Sequence, residues 1–223
     1  MDCFYQSVNH SPCLGRDVDI NGILDPVLIC HQERNCLMHE KIFDIDSLQK
    51  EAKGGNRLDY LFFWGHHPRK DGRTGKQCFS QWWQAPFDLD GIRYTSAEVY
   101  MMAEKARLFN DETMRRKIIE CAHPREAKKW GRSIKNFHEA EWNRHRLDIV
   151  VRGNKAKFEQ NEALKTYLLG TGDHILVEAS PMDTIWGIGL VEEAPLCRDP
   201  KNWKGLNLLG FALMSVRSIL GQS

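Results

Sequence analysis

Strand-like segments come first in this chain, a long helical stretch follows, and one strand and one helix close it. LDYLFFWG (Leu58–Gly65) and both arms of FSQWWQAPFDLDGIRY (Phe79–Tyr94) read as strands, with Asp90-Gly91 as a hairpin turn. Pro124 at a first-turn position and Gly131 beyond the last turn bracket PREAKKWG. A helical pattern then runs from His138 to about Gln160, and Asn161 and Gly170 bracket NEALKTYLL. HILVEAS (His174–Ser180) is a strand candidate, and Leu206, Leu209, Leu213, Val216 and Leu220 have the core spacing of a last helix. Strand and helix do not alternate, so the order predicts an α+β fold, a predominantly helical single domain with a small antiparallel sheet.

The first fifty-odd residues differ from the rest. PVLICHQ (Pro26–Gln32) reads as a strand, and IDSLQKEAK (Ile45–Lys53) as a short helix stopped by Gly54-Gly55. We therefore divide the chain into an N-terminal extension, residues 1–56, packed on a main domain, residues 57–223. Cys30, His31, Cys36 and His39 lie close together, but their spacing matches no zinc knuckle and no second cluster follows. No metal and no cofactor are expected.

Net charge is +1, from 31 basic and 30 acidic side chains, which excludes a generally basic nucleic-acid coat. A local basic patch remains in HHPRKDGRTGK (His66–Lys76), a loop by its Pro and Gly content. It is either a solvated connection or a flap, through Arg69, Lys70, Arg73 and Lys76, over a phosphorylated or nucleic-acid ligand. No apolar run reaches about 18 residues, so no membrane span is expected, and the first residues do not resemble a secretory signal. Seven Cys, an odd number without a CxxC pair, fit reduced thiols and a cytoplasmic chain. No GxGxxG or GxxxxGK[ST] stretch offers a nucleotide-binding loop.

The stretch TSAEVYMMAEKARLF (Thr95–Phe109) puts two charges in an apolar stripe. Wound at about 100° per residue, Glu98, Met102, Lys105 and Phe109 fall within about 60° of one another, and Tyr100, Ala103, Glu104 and Arg107 take the opposite face. A capping box from Thr95 to Glu98 would account for the Glu structurally. It leaves Lys105 unexplained. Helical side chains lean toward the N-terminus, so Lys105 and Glu98 can line one pocket without a direct salt bridge. A desolvated Lys tends to lose its proton and become a nucleophile.

SPMDTIWGIG (Ser180–Gly189) follows a strand and admits two readings. One is a tight turn with Asp183 as cap and Trp186 as core plug. The other is a second carboxylate beside a stacking platform, with Gly187 and Gly189 permitting close backbone approach. Trp142, in EAEWNRHRLD, is on its residues alone a core aromatic as readily as a platform.

From Phe79 onward the chain resembles the NADAR (YbiA-like) family. The landmarks stand in order as FSxxxxxPFxxDG (Phe79–Gly91), TSAExYxxAxKA (Thr95–Ala106) and PxEAKxxGR (Pro124–Arg132). A helix with Trp142 follows, then AKFEQNxxLxxxLLxTGD (Ala156–Asp173), LVEASPxDxxWGIG (Leu176–Gly189) and GxNxLGxxLMxVR (Gly205–Arg217). The resemblance covers nearly two-thirds of the chain and implies a YbiA-like fold and an N-glycosidase. One branch of such enzymes acts on phosphorylated riboflavin-pathway intermediates. Another removes ADP-ribose from guanine in nucleic acid, sometimes beside a DNA ADP-ribosyltransferase.

The resemblance points to Glu98, Lys105, Trp142, Asp183 and Trp186 as functional positions. Breaking a ribosyl C–N bond builds positive charge at C1′, which carboxylates stabilise, and one carboxyl can protonate the departing nitrogen. Lys105 is the candidate Schiff-base nucleophile, Glu98 the acid/base, and Asp183 the electrostatic partner. Trp142 and Trp186 would stack on base or sugar, with Gln81, Trp82, Asn207 and Gly187 as further substrate-binding candidates. Two departures stand out. Phe79-Ser80-Gln81 replaces the family's FSN, and Leu206 and Leu208 replace basic residues common around GxNxLG. If those residues hold a phosphate, Lys201, Lys204 or the 66–76 loop must substitute. The three resulting readings are a hydrolase of ADP-ribosylated guanine, a glycosidase of riboflavin-pathway phosphates, and a binding module for ADP-ribose without cleavage.

Overall fold

The computed structural model describes residues 44–55 and 57–222. The Pro26–Gln32 strand and the Cys30/His31/Cys36/His39 cluster lie outside the described residues. Among the described residues no helix is long and apolar enough to cross a membrane, and no group of three or more His, Cys, Asp or Glu side chains could hold a metal ion.

Helix α1 (Ile45–Lys53) starts where the Asp44 carboxylate accepts the Ser47 N–H at 2.8 Å. Its Leu48 is fully buried, and the Gln49 side chain donates to the Pro200 carbonyl at 3.0 Å. Although α1 precedes the expected boundary at residue 57, it belongs to the same compact unit as the strands and helices of the main domain.

Strand β1 (Tyr60–Phe63) pairs in parallel with a strand more than a hundred residues away, β4 (Ile175–Glu178), from Tyr60 opposite Ile175 to Phe63 opposite Glu178. The expected antiparallel sheet is the hairpin of β2 (Gln84–Leu89) and β3 (Ile92–Ser96). Asp90 (φ 54°) and Gly91 (φ 74°) make its turn, both left-handed as a type I′ turn requires. The first arm begins later than expected. Lys76–Phe79 is a short 3-10 helix, and Trp82 and Trp83 lie in the turn after it. The wholly buried Lys157 explains the difference, because its ammonium donates to the Cys78 carbonyl at 2.7 Å and the Ser80 carbonyl at 3.0 Å. Those carbonyls are satisfied by a side chain instead of a strand partner.

Helix α2 (Ala97–Leu108) runs through the middle of the molecule, packed against α3 (Glu112–Ile119), α4 (Pro124–Gly131) and α5 (Glu139–Glu159). Its second face is buried as deeply as the stripe read from the sequence. Tyr100 packs edge-on against Tyr94, Ala103 is fully buried, and the buried Glu104 accepts from Arg107 at 2.9 Å. With Arg107 its one exposed residue, the helix has almost no solvent face to read off a wheel. Beyond α5 come α6 (Glu162–Leu169) and α7 (Leu208–Gly221), the latter packed on β4 and α5. Helix α7 begins two residues later than expected because Asn207 is left-handed (φ 52°), and this leaves Leu206 exposed.

Candidate active site

The entry of α2 decides what Glu98 is free to do. Ser96, not Thr95, is the cap, and its hydroxyl accepts the Val99 N–H. Thr95 belongs to β3, so the expected capping box with Glu98 does not form. The Glu98 N–H donates to the Gln81 carbonyl at 2.9 Å, and its carboxyl turns inward. It faces a cavity of about 200 Å³ that Lys105, Asp183 and Trp186 also line. Four positions, singled out from segments far apart in the chain, thus meet in one hollow.

The cavity lining carries both signs of charge: the carboxyls of Glu98, Glu178 and Asp183, and the cations of Lys105, Lys128 and Arg132. Burial pushes the Glu98 carboxyl up to about 7, against the pull of Lys128 and a hydrogen bond from the Trp82 side chain. Glu178 rises to about 8, through burial first and then the charges of Asp183 and Glu98. Glu98 Oε1 and Glu178 Oε2 are both buried without a hydrogen-bond partner among the described residues. Oxygens in that condition are costly unless a ligand or a proton serves them.

Lys105 reaches the cavity from about two turns further along α2. Its ammonium donates to the Gly131 carbonyl at 3.0 Å and lies 4.1 Å from the Phe137 ring centroid and 5.7 Å from that of Trp142. Among the described residues no carboxylate lies within 4.0 Å of it. Burial alone draws its pKa down. An amine held by one carbonyl and two rings, with its proton loosened, has the features of a Lys nucleophile.

The Ser180–Gly189 turn combines both readings made of it. Asp183 Oδ1 caps the Ile185 and Trp186 N–H groups at 2.9 and 2.8 Å, and the side chain also lines the cavity. Trp186 is half-buried there. Gly187 has a structural reason: a Cβ on it would stand 2.8 Å from the Glu178 carbonyl. The close approach is backbone to backbone, so Gly187 serves the site by letting the turn fold over the end of β4.

Other expected positions, Trp82 apart, lie outside the cavity lining. The Gln81 amide is buried and donates to Asn154 Oδ1 at 3.1 Å, away from the cavity lining. Asn207 is fully buried, accepting the Glu178 N–H and donating to the Leu176 carbonyl, both at 2.9 Å. It staples α7 to β4 and so fixes Glu178. Trp142 is nearly buried and stands behind Lys105, and Trp82 lines the cavity directly. Lys201 pairs with Asp199 at 2.8 Å, and in the 66–76 loop Arg69 pairs with Asp71 and Lys76 with Glu192.

The sequence reading missed Glu178, Lys128 and Arg132. Each stands inside a quoted landmark, Glu178 in LVEASPxDxxWGIG and the two cations in PxEAKxxGR. For Glu178 the available signal was its place, a charge ending an apolar strand, where sites in folds with parallel strands commonly form. A larger hollow of about 360 Å³ lies between α1 and Arg198–Lys201, but its lining brings together no buried carboxyl and no nucleophile.

Comparison with known proteins places the chain in a family. The chain is 44% identical over 163 residues to N-glycosidase R617 of Acanthamoeba polyphaga mimivirus, covering 71% of this chain and 94% of the relative. It is 31% identical over 142 residues to N-glycosidase YbiA of Escherichia coli, covering 64% and 78%. The NMR structure of E. coli YbiA superposes with a TM-score of 0.57 at 27% identity, covering 75% of this chain and 88% of that one. The NADAR domain matches residues 62–221, from β1 through α7. The chain belongs to the NADAR family.

Proposed function

We propose that this protein, an N-glycosidase of the NADAR family, removes ADP-ribose from ADP-ribosylated guanine in nucleic acid. The observation that carries this reading is the pair of buried carboxyls, Glu98 and Glu178. Their pKa values are raised to about 7 and about 8, each has an oxygen without a partner among the described residues, and they line the cavity that Lys105 enters.

The steps follow from the residues. Glu98 gives its proton to the departing guanine nitrogen as the C1′–N bond breaks. Asp183 stands beside the positive charge that grows at C1′, where a carboxylate lowers the barrier. The lone pair of Lys105 then bonds to C1′. The sugar ring opens at O4′, which takes a proton, and C1′ remains bound to the lysine as a Schiff base. Water hydrolyses that C=N bond, releasing ADP-ribose and restoring the amine. The balance is one N-glycosidic bond and one water converted to a free sugar and a free base. Trp82 and Trp186 supply flat surfaces for the base or sugar.

A second reading is a glycosidase of phosphorylated riboflavin-pathway intermediates. Its support is size: about 200 Å³ is below the usual range of ligand pockets and suits one ribosyl group, with Lys128 or Arg132 on its phosphate. The test is to incubate the protein with DNA carrying ADP-ribosylated guanine and, separately, with a ribosylaminopyrimidine 5′-phosphate, following sugar release. Cleavage of the DNA adduct is expected, and cleavage of the small phosphate alone overturns the first reading. Borohydride added during turnover should attach the sugar to Lys105. Turnover without that adduct would remove the covalent step and leave direct attack by water.

A further inference from the structure

The cavity-lining Trp82 has further ring neighbours. The His66 ring lies 5.4 Å from the indole, tilted by 49°, and stacks on His67 at 5.0 Å. The His123 ring meets the indole edge-to-face at 6.4 Å, and the Lys128 ammonium stands 5.8 Å from its centroid. Trp82 and Lys128 belong both to the cavity lining and to this cluster, so the two are continuous.

Helix α4 and its C-terminal cap, Arg132, supply the cations in a line. At about 100° per residue, Arg125, Lys128 and Arg132 fall within about 60° of one another, spread over roughly 10 Å of helix axis. The helix starts at this rim, with the His123 ring Nδ1 accepting the Arg125 N–H at 3.2 Å, so the positive end of its dipole points the same way. Neither Arg125 nor Arg132 forms an ion pair among the described residues. This contrasts with the 66–76 loop, where Arg69 and Lys76 are already paired. Burial, followed by the charges of His67, His123 and Arg125, holds His66 below its ordinary pKa, and no carboxylate offsets them.

We propose that His66, Trp82, His123 and Arg125 form an outer subsite for a nucleoside diphosphate, with the base stacked on the Trp82–His66 platform and the phosphates along α4. Stacking on an indole and an imidazole selects a flat aromatic ring, and a run of unpaired cations selects more than one phosphate. The inference rests on the de-ADP-ribosylation reading, because it gives the part of the substrate beyond the ribosyl group a place to bind. It also states a preference: the larger nucleotide substrate over a ribosyl monophosphate, which would reach only Lys128 and Arg132.

The test uses binding, so that it stands apart from cleavage. Calorimetric titration of the whole protein with ADP, and with ribose 5-phosphate for comparison, should show ADP binding more tightly. Arg125→Glu and His66→Ala, both on the surface side of the rim, should each weaken ADP at least tenfold. Charge reversal at the remote, exposed Arg116 should not. In NMR titrations the His66 ring should gain a higher pKa when ADP is present, as a nearby anion favours the imidazolium. Equal ADP affinity in Arg125→Glu and wild type, with His66 unmoved, would overturn the subsite even if ADP-ribosylated DNA is cleaved. Absence of that cleavage with rim-dependent ADP binding would instead overturn the substrate reading and leave the subsite standing.

Discussion

At the scale of single residues, the site is built from groups that cannot serve the fold alone. Glu98 has no capping duty, and Glu178 ends a strand with one carboxyl oxygen unpartnered. With pKa values raised to about 7 and about 8, Glu98 is about half and Glu178 mostly protonated at neutral pH, and both lose protons as pH rises. If Glu98 is the general acid, kcat/KM should fall on the basic side as pH passes through 7 to 8. Glu98→Gln, which cannot give up a proton, should lose roughly 10²- to 10⁴-fold in kcat. Glu178→Gln should keep more activity and leave the basic limb near its wild-type position, since the charge that raises Glu98, after burial, is that of Asp183. Rate profiles of the three proteins from pH 5 to 9 decide this, and a Glu98→Gln enzyme near wild-type rate would exclude the assignment. Glu98 and Lys105 were legible in the sequence because charges interrupt an apolar helical repeat. Glu178 was less so, since alternation along a strand allows a polar residue there. Lys128 sits in Lys128-Lys129, and only the packing of α4 along α2 determines which of them faces the cavity.

At the scale of elements, close approach does what side-chain contacts alone could not. Helix α5 crosses α2 at Gly153, where an added Cβ would stand 2.3 Å from the Tyr100 ring. That ring is fully buried between Tyr94 and Phe87, so it has nowhere to move. Gly153→Ala should therefore destabilise the protein by about 1–3 kcal/mol, the usual range for overpacking, despite alanine's better helix propensity. Urea denaturation should show a lower midpoint with an unchanged slope. A variant as stable as the wild type would mean that the α2–α5 crossing relaxes freely. In the sequence Gly153 registered only as a weak point in a long helical pattern. The hairpin was legible for a local reason, its Asp90-Gly91 turn. The β1–β4 pair was not, since two short apolar runs so far apart carry no mark of their partnership. The 3-10 turn before β2 escaped notice because the side chain that replaces its strand partner, Lys157, comes from a distant helix.

At the scale of the whole molecule, the strand–helix–strand–helix order sufficed for the α+β class and the small hairpin sheet, while the burial of most of α2, on both of its faces, emerged only from packing. That burial leaves a signature in the stability of the whole protein. The folded-state pKa values of Glu98 and Glu178 lie above the ordinary 4.5, so the folded chain binds more protons than the unfolded one between 4.5 and about 8. Stability from these two groups is complete below 4.5 and is lost as pH rises through 7 and 8. Lys157 acts in the opposite sense. Its pKa falls from 10.5 to about 8 through burial, so the unfolded chain binds the extra proton between 8 and 10.5, and stability recovers there. Exposed Asp44, Asp71 and Asp199, held below their ordinary range by hydrogen bonds, weaken the fold only under more acidic conditions. The thermal midpoint should accordingly peak on the acid side of neutrality and decline toward pH 8. In the Glu98→Gln/Glu178→Gln double variant the decline should disappear, and the protein should be more stable than the wild type at pH 8. Calorimetric scans of both proteins between pH 5 and 9 measure this. A wild-type midpoint that rises from pH 6 to 8, or a double variant with the same slope, would show that the two carboxyls are not strained by burial and would remove the physical basis for the proton donor at the cavity floor.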